Sequence, residues 1–149
     1  MKTTKVLETC LYVDDLARAE RFYTDVLGLT FVSRQEGRHA FFRCGQAMVL
    51  LFNPLSSREE RSHDGLEVPT HGCFGPGHVA FAVRDTNLPA WAEHLERHGV
   101  AIERTMDWPG GGRSLYFRDP AGNSLELATP RIWGLPDEPD NDAGPLKSP

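Results

Sequence analysis

The feature that most constrains this chain is that it contains itself twice. Set "ETCLYVDDLARAERFYTDVLGLTFVSR" (8–34) under "HVAFAVRDTNLPAWAEHLERHGVAIER" (78–104). Glu8 then falls on His78, Val13 on Val83 and Asp15 on Asp85; one extra residue in the second copy brings Gly28 onto Gly99. A repeat of this kind is one supersecondary unit used twice, so it decides the fold before any single element does. Each copy reads as strand, turn, helix, glycine stop, strand.

In the first copy Leu16, Ala19, Phe22, Tyr23, Val26 and Leu27 fall on one helical face, the spacing of an amphipathic helix. Asp14 or Asp15 suits its start, and Gly28 the left-handed position after its end. In the second copy Leu88, Trp91, Ala92 and Leu95 share a face. Thr86 or Asn87 caps that helix, Pro89 sits where a first turn tolerates it, and Gly99 closes it. Three strand-like segments follow each helix: 29–35, 38–44 and 47–53, then 100–106, 112–118 and 123–129. "DPAGN" (119–123) is a hairpin turn.

The expected fold is α+β, with two βαβββ modules forming a cupped half-barrel sheet and helices on its outer face. The modules occupy 1–54 and 77–133. Residues 55–76 read as a polar, turn-rich linker, and 134–149 as a Pro- and Asp-rich tail, loose unless a partner subunit holds it.

Strand alternation then sorts the side chains. Val79, Phe81 and Val83 form a bulky core side; His78, Ala80 and Ala82 face the cup, where the two alanines leave room. Likewise Leu125 and Leu127 face the helix, and Ser124, Glu126 and Ala128 the cup. By the repeat, Glu8 projects into the cup as His78 does. A strand-end histidine bonded to a backbone carbonyl is the plain account of His78 alone. One imidazole and two carboxylates converging make a divalent metal site, suited to iron, manganese, nickel, cobalt or zinc.

Charge and composition narrow the partners. A net charge of −5 argues against nucleic acid and anionic membrane surfaces. The longest apolar run, "AMVLLF" (47–52), cannot span a bilayer. Cys10, Cys44 and Cys73 are odd in number and fit no CxxC pattern, as expected of reduced thiols in a cytoplasmic protein.

The stretches "LYVDDLARAERFYTDVLGLTF", "GHVAFAV" and "LYFRDPAGNSLELATP" together resemble the vicinal oxygen chelate superfamily, which holds glyoxalase I, extradiol dioxygenases and fosfomycin- and bleomycin-resistance proteins. The resemblance spans about residues 5–130. It implies paired βαβββ modules, commonly in a homodimer, and one divalent metal ion per site held by Glu8, His78 and Glu126. "MVLLFNP" offers no fourth ligand carboxylate, and Glu8 stands where dioxygenases and fosfomycin enzymes usually have histidine. His71 or His39 could supply the missing imidazole or line the cup.

The implied activity is that of a glyoxalase-like enzyme on a small substrate that chelates the metal through adjacent oxygens, the lyase or isomerase type slightly favoured. An iron(II) extradiol dioxygenase and a metal-free small-molecule binding protein are the alternatives. Glu126, Tyr116 and Arg118 are the candidate catalytic residues. Arg113, Trp108, His39 and His71 are the candidates for substrate contact: a guanidinium holds a carboxylate or phosphonate bidentately, and Trp108, beside "GGG" (110–112), could form an apolar lid. Arg113 and Arg118 have opposite strand parity, so one of them faces the cup; a surface ion pair with Asp119 or Glu126 is the plain alternative for that guanidinium.

Overall fold

The computed structural model of the chain describes residues 1–59, 62–63 and 66–137. It is α+β, and the repeat appears as two four-stranded mixed sheets of the same order.

The first module runs β1 (Glu8–Tyr12), α1 (Leu16–Asp25), β2 (Thr30–Gln35), β3 (His39–Cys44) and β4 (Ala47–Phe52). Its strand order is β1-β4-β3-β2. β1 runs parallel to β4, with Leu11 opposite Leu51, and the other pairings are antiparallel. A register shift between Phe31 and Ser33 marks a bulge in β2. α1 starts where Asp15 accepts the Arg18 N–H at 2.9 Å, and ends at Gly28 with φ 67°. Leu11, Ala40, Phe42, Val49 and Leu51 are buried on one sheet face, with Ala19 and Tyr23 of α1. The Tyr23 and Phe42 rings stack with centroids 5.8 Å apart. Each large side chain buried here contributes about 1.5–3 kcal/mol.

The expected linker carries structure of its own. A 3-10 turn occupies Ser56–Arg58, and the two-residue strands β5 (Ser62–His63) and β6 (Leu66–Glu67) pair antiparallel. His71 N–H donates to Ser57 O at 3.1 Å, which closes the segment on itself, and the Arg38 guanidinium donates to Ser56 O, which ties its start to the first module.

The second module runs β7 (His78–Ala82), a 3-10 turn (Asp85–Asn87), α2 (Leu88–Arg97), β8 (Arg104–Asp107), β9 (Arg113–Arg118) and β10 (Ser124–Ala128). Its order, β7-β10-β9-β8, repeats that of the first. Leu88, Leu95, Leu115, Phe117, Leu125 and Leu127 are buried. Two expectations shift. Asn87 occupies the N-cap position of α2 without a side-chain capping bond, because the 3-10 turn already leads into the helix. β8 begins at Arg104 rather than residue 100: Val100 N–H still bonds back to Leu95 O at 2.9 Å, so the chain is leaving the helix there.

By contact density the chain falls into two compact units: Met1–Val79 with Arg118–Ser124, and Ala80–Phe117 with Leu125–Pro149. The 118–124 turn joins the first unit through its polar side chains. Tyr23 hydroxyl donates to Asp119 Oδ2 at 3.0 Å, and Asn123 Nδ2 to Tyr12 O at 3.1 Å. Asn123 Oδ1 accepts Gly77 N–H at 2.7 Å. The expected tail begins with Gly134 closing a 3-10 turn (Pro130–Trp133); residues 138–149 lie outside the described residues. No described helix is long and apolar enough to cross a membrane.

Candidate functional site

In the second unit a line of polar side chains ends at Glu126. Ser114 and Tyr116 lie two apart on β9 and so share a sheet face. Trp108 Nε1–H donates to Ser114 Oγ at 2.9 Å, and Ser114 is wholly buried. Tyr116 hydrogen-bonds to both Ser114 and Glu126. Burial first, then the bond to the Glu126 carboxylate, pushes the Tyr116 phenol above its ordinary value. Its hydroxyl therefore keeps its proton at neutral pH and acts as a donor. Glu126 is 4% exposed, and its Oε1 has no hydrogen-bond partner. A buried carboxylate oxygen in that state is costly unless a cation or donor meets it.

The room expected beside the small residues of β7 is present. A cavity of about 380 Å³ lies over Ala80 and Ala82, bounded by Ala128, Ile132, Trp133 and Leu135. Its lining is almost wholly apolar, and Ala128 stands two residues along β10 from Glu126.

Arg113 faces away from Tyr116. Its Nε donates to Asp85 Oδ1 at 2.8 Å and its Nη2 to Asp85 O at 3.1 Å. The hydrogen bond from Arg113 holds the Asp85 carboxyl below its ordinary value. The ion pair is thus made with Asp85, not with Asp119 or Glu126, and it braces the turn that starts α2. Arg118 has the opposite parity; it is exposed, with Nη1 donating to Gly122 O at 3.1 Å. Trp108 is held by its indole N–H, which donates to Ser114 Oγ.

In the first unit His39 and His71 come together in an aromatic cluster. His39 stacks on Phe41 with centroids 4.0 Å apart and planes 8° apart. His71 meets Phe52 edge-on at 4.5 Å, and its Nδ1 lies 2.8 Å from the Tyr12 hydroxyl. Burial and a hydrogen bond with Cys10 push the Tyr12 phenol up to about 12, so its hydroxyl stays protonated beside His71 at neutral pH.

The three expected metal ligands are placed as follows. Glu8 is exposed at the first position of β1. His78 is exposed at the first position of β7, with Nδ1 at 3.0 Å from Ser124 O. The plain account of a strand-end histidine on a carbonyl thus holds, and it also fits a ligand. An Nδ1–H given to a carbonyl makes Nε2 the unprotonated nitrogen, the usual tautomer of a metal-binding imidazole. Among the described residues, no group of three or more His, Cys, Asp or Glu could hold a metal ion. The donor types, an imidazole on His78 and the buried carboxylate of Glu126, suit a divalent ion.

Ser114 and Tyr12 were not among the sequence candidates. Parity could have found both, since Ser114 stands two residues before Tyr116, and Tyr12 alternates in phase with Glu8.

Residues 5–127 match the family model of the Glyoxalase/Bleomycin resistance protein/Dioxygenase superfamily. The crystal structure of lactoylglutathione lyase from Agrobacterium tumefaciens is 38% identical with a TM-score of 0.85, and the match covers 91% of this chain and 100% of that one. Glutathione transferase FosA of Serratia marcescens is 33% identical over 117 residues, which are 78% of this chain and 74% of the relative. Metallothiol transferase FosB of Staphylococcus epidermidis is 29% identical over 133 residues, 87% of this chain and 84% of the relative.

Proposed function

The chain belongs to the Glyoxalase/Bleomycin resistance protein/Dioxygenase superfamily, and from that premise we propose that it is a divalent-metal-dependent enzyme of the lyase or isomerase type. Its substrate is a small molecule that presents two adjacent oxygens. The observation that carries this reading is the buried Glu126 carboxylate, engaged by Tyr116 and leaving Oε1 unmet. The similarity to a lactoylglutathione lyase supports the reaction type.

In this reading Glu8, His78 and Glu126 hold the ion. The expected homodimer is part of this reading. A divalent ion bound there supplies Lewis acidity to the negative charge that develops on the chelating oxygens. Glu126 would hold or move the proton at the carbon beside them. Tyr116, protonated at neutral pH, donates to a substrate oxygen or fixes the Glu126 carboxylate. Arg118 pairs with an anionic group on the substrate, and the cavity over Ala80 and Ala82 takes its apolar part. Arg113 has its structural task at Asp85 and stands outside this set.

The test is elemental analysis of protein purified without chelator or histidine tag, beside the His78→Ala and Glu126→Ala variants. Bound manganese, iron, nickel, cobalt or zinc that is lost in both variants supports the reading. Wild-type metal content in either variant contradicts it.

A further inference from the structure

α2 carries a row of rings along the edge of its buried face. Trp91, His94 and His98 stand at positions i, i+3 and i+7, one above another on a single stripe of the helix. The Trp91 and His94 rings meet edge-on, with centroids 5.4 Å apart and planes at 84°. His94 and His98 lie closer, with centroids 4.2 Å apart and planes at 42°. Leu88 and Leu95 are the residues the helix buries; Trp91 and His94 are half-buried, and His98 is exposed.

One ring of the pair has its tautomer fixed. His98 Nδ1 stands 2.8 Å from the His94 carbonyl oxygen, which only accepts. Nδ1 therefore carries the proton, and Nε2 is the unprotonated nitrogen. A histidine on the last carbonyls of a helix is a common terminus, and it accounts for that bond. It does not account for the second imidazole, set beside the first one turn earlier. Histidines at i and i+4 on one helix face present two imidazoles to one ion. With metal–nitrogen bonds of about 2.0–2.1 Å, two such nitrogens lie within about 4 Å of each other. Rings whose centroids stand at 4.2 Å reach that arrangement by side-chain torsions alone. The segment itself, "HLERH" (94–98), lacks the glutamate after the first histidine that serves as general base in helical zinc peptidase sites. Leu95 stands there and is wholly buried. The pair is suited to holding an ion rather than to hydrolysis.

We propose that His94 and His98 form a surface site for a divalent transition-metal ion of the nickel(II) and copper(II) class, carried by α2 alone. Imidazole suits such ions, and affinity for a nitrogen site rises toward copper. The described residues hold no group of three or more His, Cys, Asp or Glu that could take an ion; this site is of two, with water completing the coordination. Binding is accordingly weak and exchangeable. The proposal does not rest on the metal reading of Glu8, His78 and Glu126, since it uses none of those residues.

Trp91 supplies the readout, because an open-shell ion held by the neighbouring imidazoles quenches its fluorescence. The experiment is titration of the desalted full-length protein with nickel(II), which does not oxidise its thiols. The expected result is a saturable fall in fluorescence that is absent in Trp91→Phe. His94→Gln keeps the carbonyl to which His98 donates, yet should weaken binding at least about tenfold, because the second imidazole otherwise binds intramolecularly. His98→Gln should weaken it as much. Glu126→Gln should leave the quenching unchanged, which tells failure here from failure of the other site. Circular dichroism of each variant establishes that it is folded, and the wild-type titration needs no variant at all. No saturable change, quenching that survives Trp91→Phe, wild-type affinity in His94→Gln or His98→Gln, or loss of the quenching in Glu126→Gln overturns the proposal.

Discussion

The Tyr23 hydroxyl donates to Asp119 Oδ2 at 3.0 Å across 96 residues of sequence, with Tyr23 wholly buried and Asp119 4% exposed. Asp119 Oδ1 also accepts the N–H groups of Ala121 and Asn123, at 2.9 and 2.8 Å. One carboxylate therefore shapes the turn after β9 and fastens it to α1. Burial, followed by the Asp119 charge and hydrogen bond, pushes the Tyr23 phenol far up, so the bond persists throughout the ordinary pH range. Tyr23→Phe should cost about 1.5–3 kcal/mol, the range for a hydrogen bond to a charged group. Asp119→Ala should cost more, because it orphans the turn amides as well. Urea denaturation checks the order; a Tyr23→Phe protein as stable as wild type would contradict the account.

Two glycines should respond differently to alanine. At Gly112, φ is 89° and an added Cβ would meet Thr129 Oγ1 at 2.7 Å and Ile132 N at 2.8 Å. At Gly28, φ is 67° and nothing lies within 4 Å. Gly28→Ala should therefore cost about 1 kcal/mol, the left-handed backbone penalty alone. Gly112→Ala adds a backbone clash and should cost clearly more. Comparing the two urea midpoints tests this.

The Arg113–Asp85 pair predicts a pH dependence. The folded-state Asp85 carboxyl lies below its ordinary value of 3.8, chiefly because of the Arg113 hydrogen bond. A depressed carboxyl stabilises the fold above its unfolded value, and that contribution disappears as pH falls through the folded value. Both side chains are more than a third exposed, so screening keeps the effect small. Arg113→Met should lower Tm slightly at neutral pH and by less in strong acid, where only the bond to the Asp85 carbonyl is lost. Melting curves at the two pH values would show a constant gap if the loss were packing alone.

Tyr116 and Glu126 are neighbours with separable roles. Tyr116→Phe removes a donor from a buried carboxylate and should destabilise the fold by about 1.5–3 kcal/mol, while metal is retained. Glu126→Gln keeps the size of the side chain and its bond to Tyr116 but should lose metal. Elemental analysis beside urea melts of the two variants distinguishes them.

Much of this was legible because the repeat ties each strand to a counterpart. Gly28 and Gly99 mark matching helix ends, and alternation in "HVAFAV" separates Phe81 from Ala80 and Ala82 correctly. Parity also separates Arg113 from Arg118. Alternation names a face, however, and not the partner met there. The partners of Arg113, Trp108 and Asp119 are Asp85, Ser114 and Tyr23. Each is set by how distant or turning segments fold back, which no local period records. The start of β8 was misplaced because Val100 keeps a helical-exit bond to Leu95 that its β-branched side chain does not reveal. Nor could parity alone show that His39 and His71 join one aromatic cluster, since His71 arrives on the segment between the modules.

The most direct test of the account is the metal content of the purified protein beside that of His78→Ala. The account predicts near-stoichiometric divalent metal in the wild-type protein and its loss in the variant, with the fold retained by circular dichroism. An unchanged metal content in His78→Ala, or a wild-type protein that takes up none on reconstitution, would contradict it.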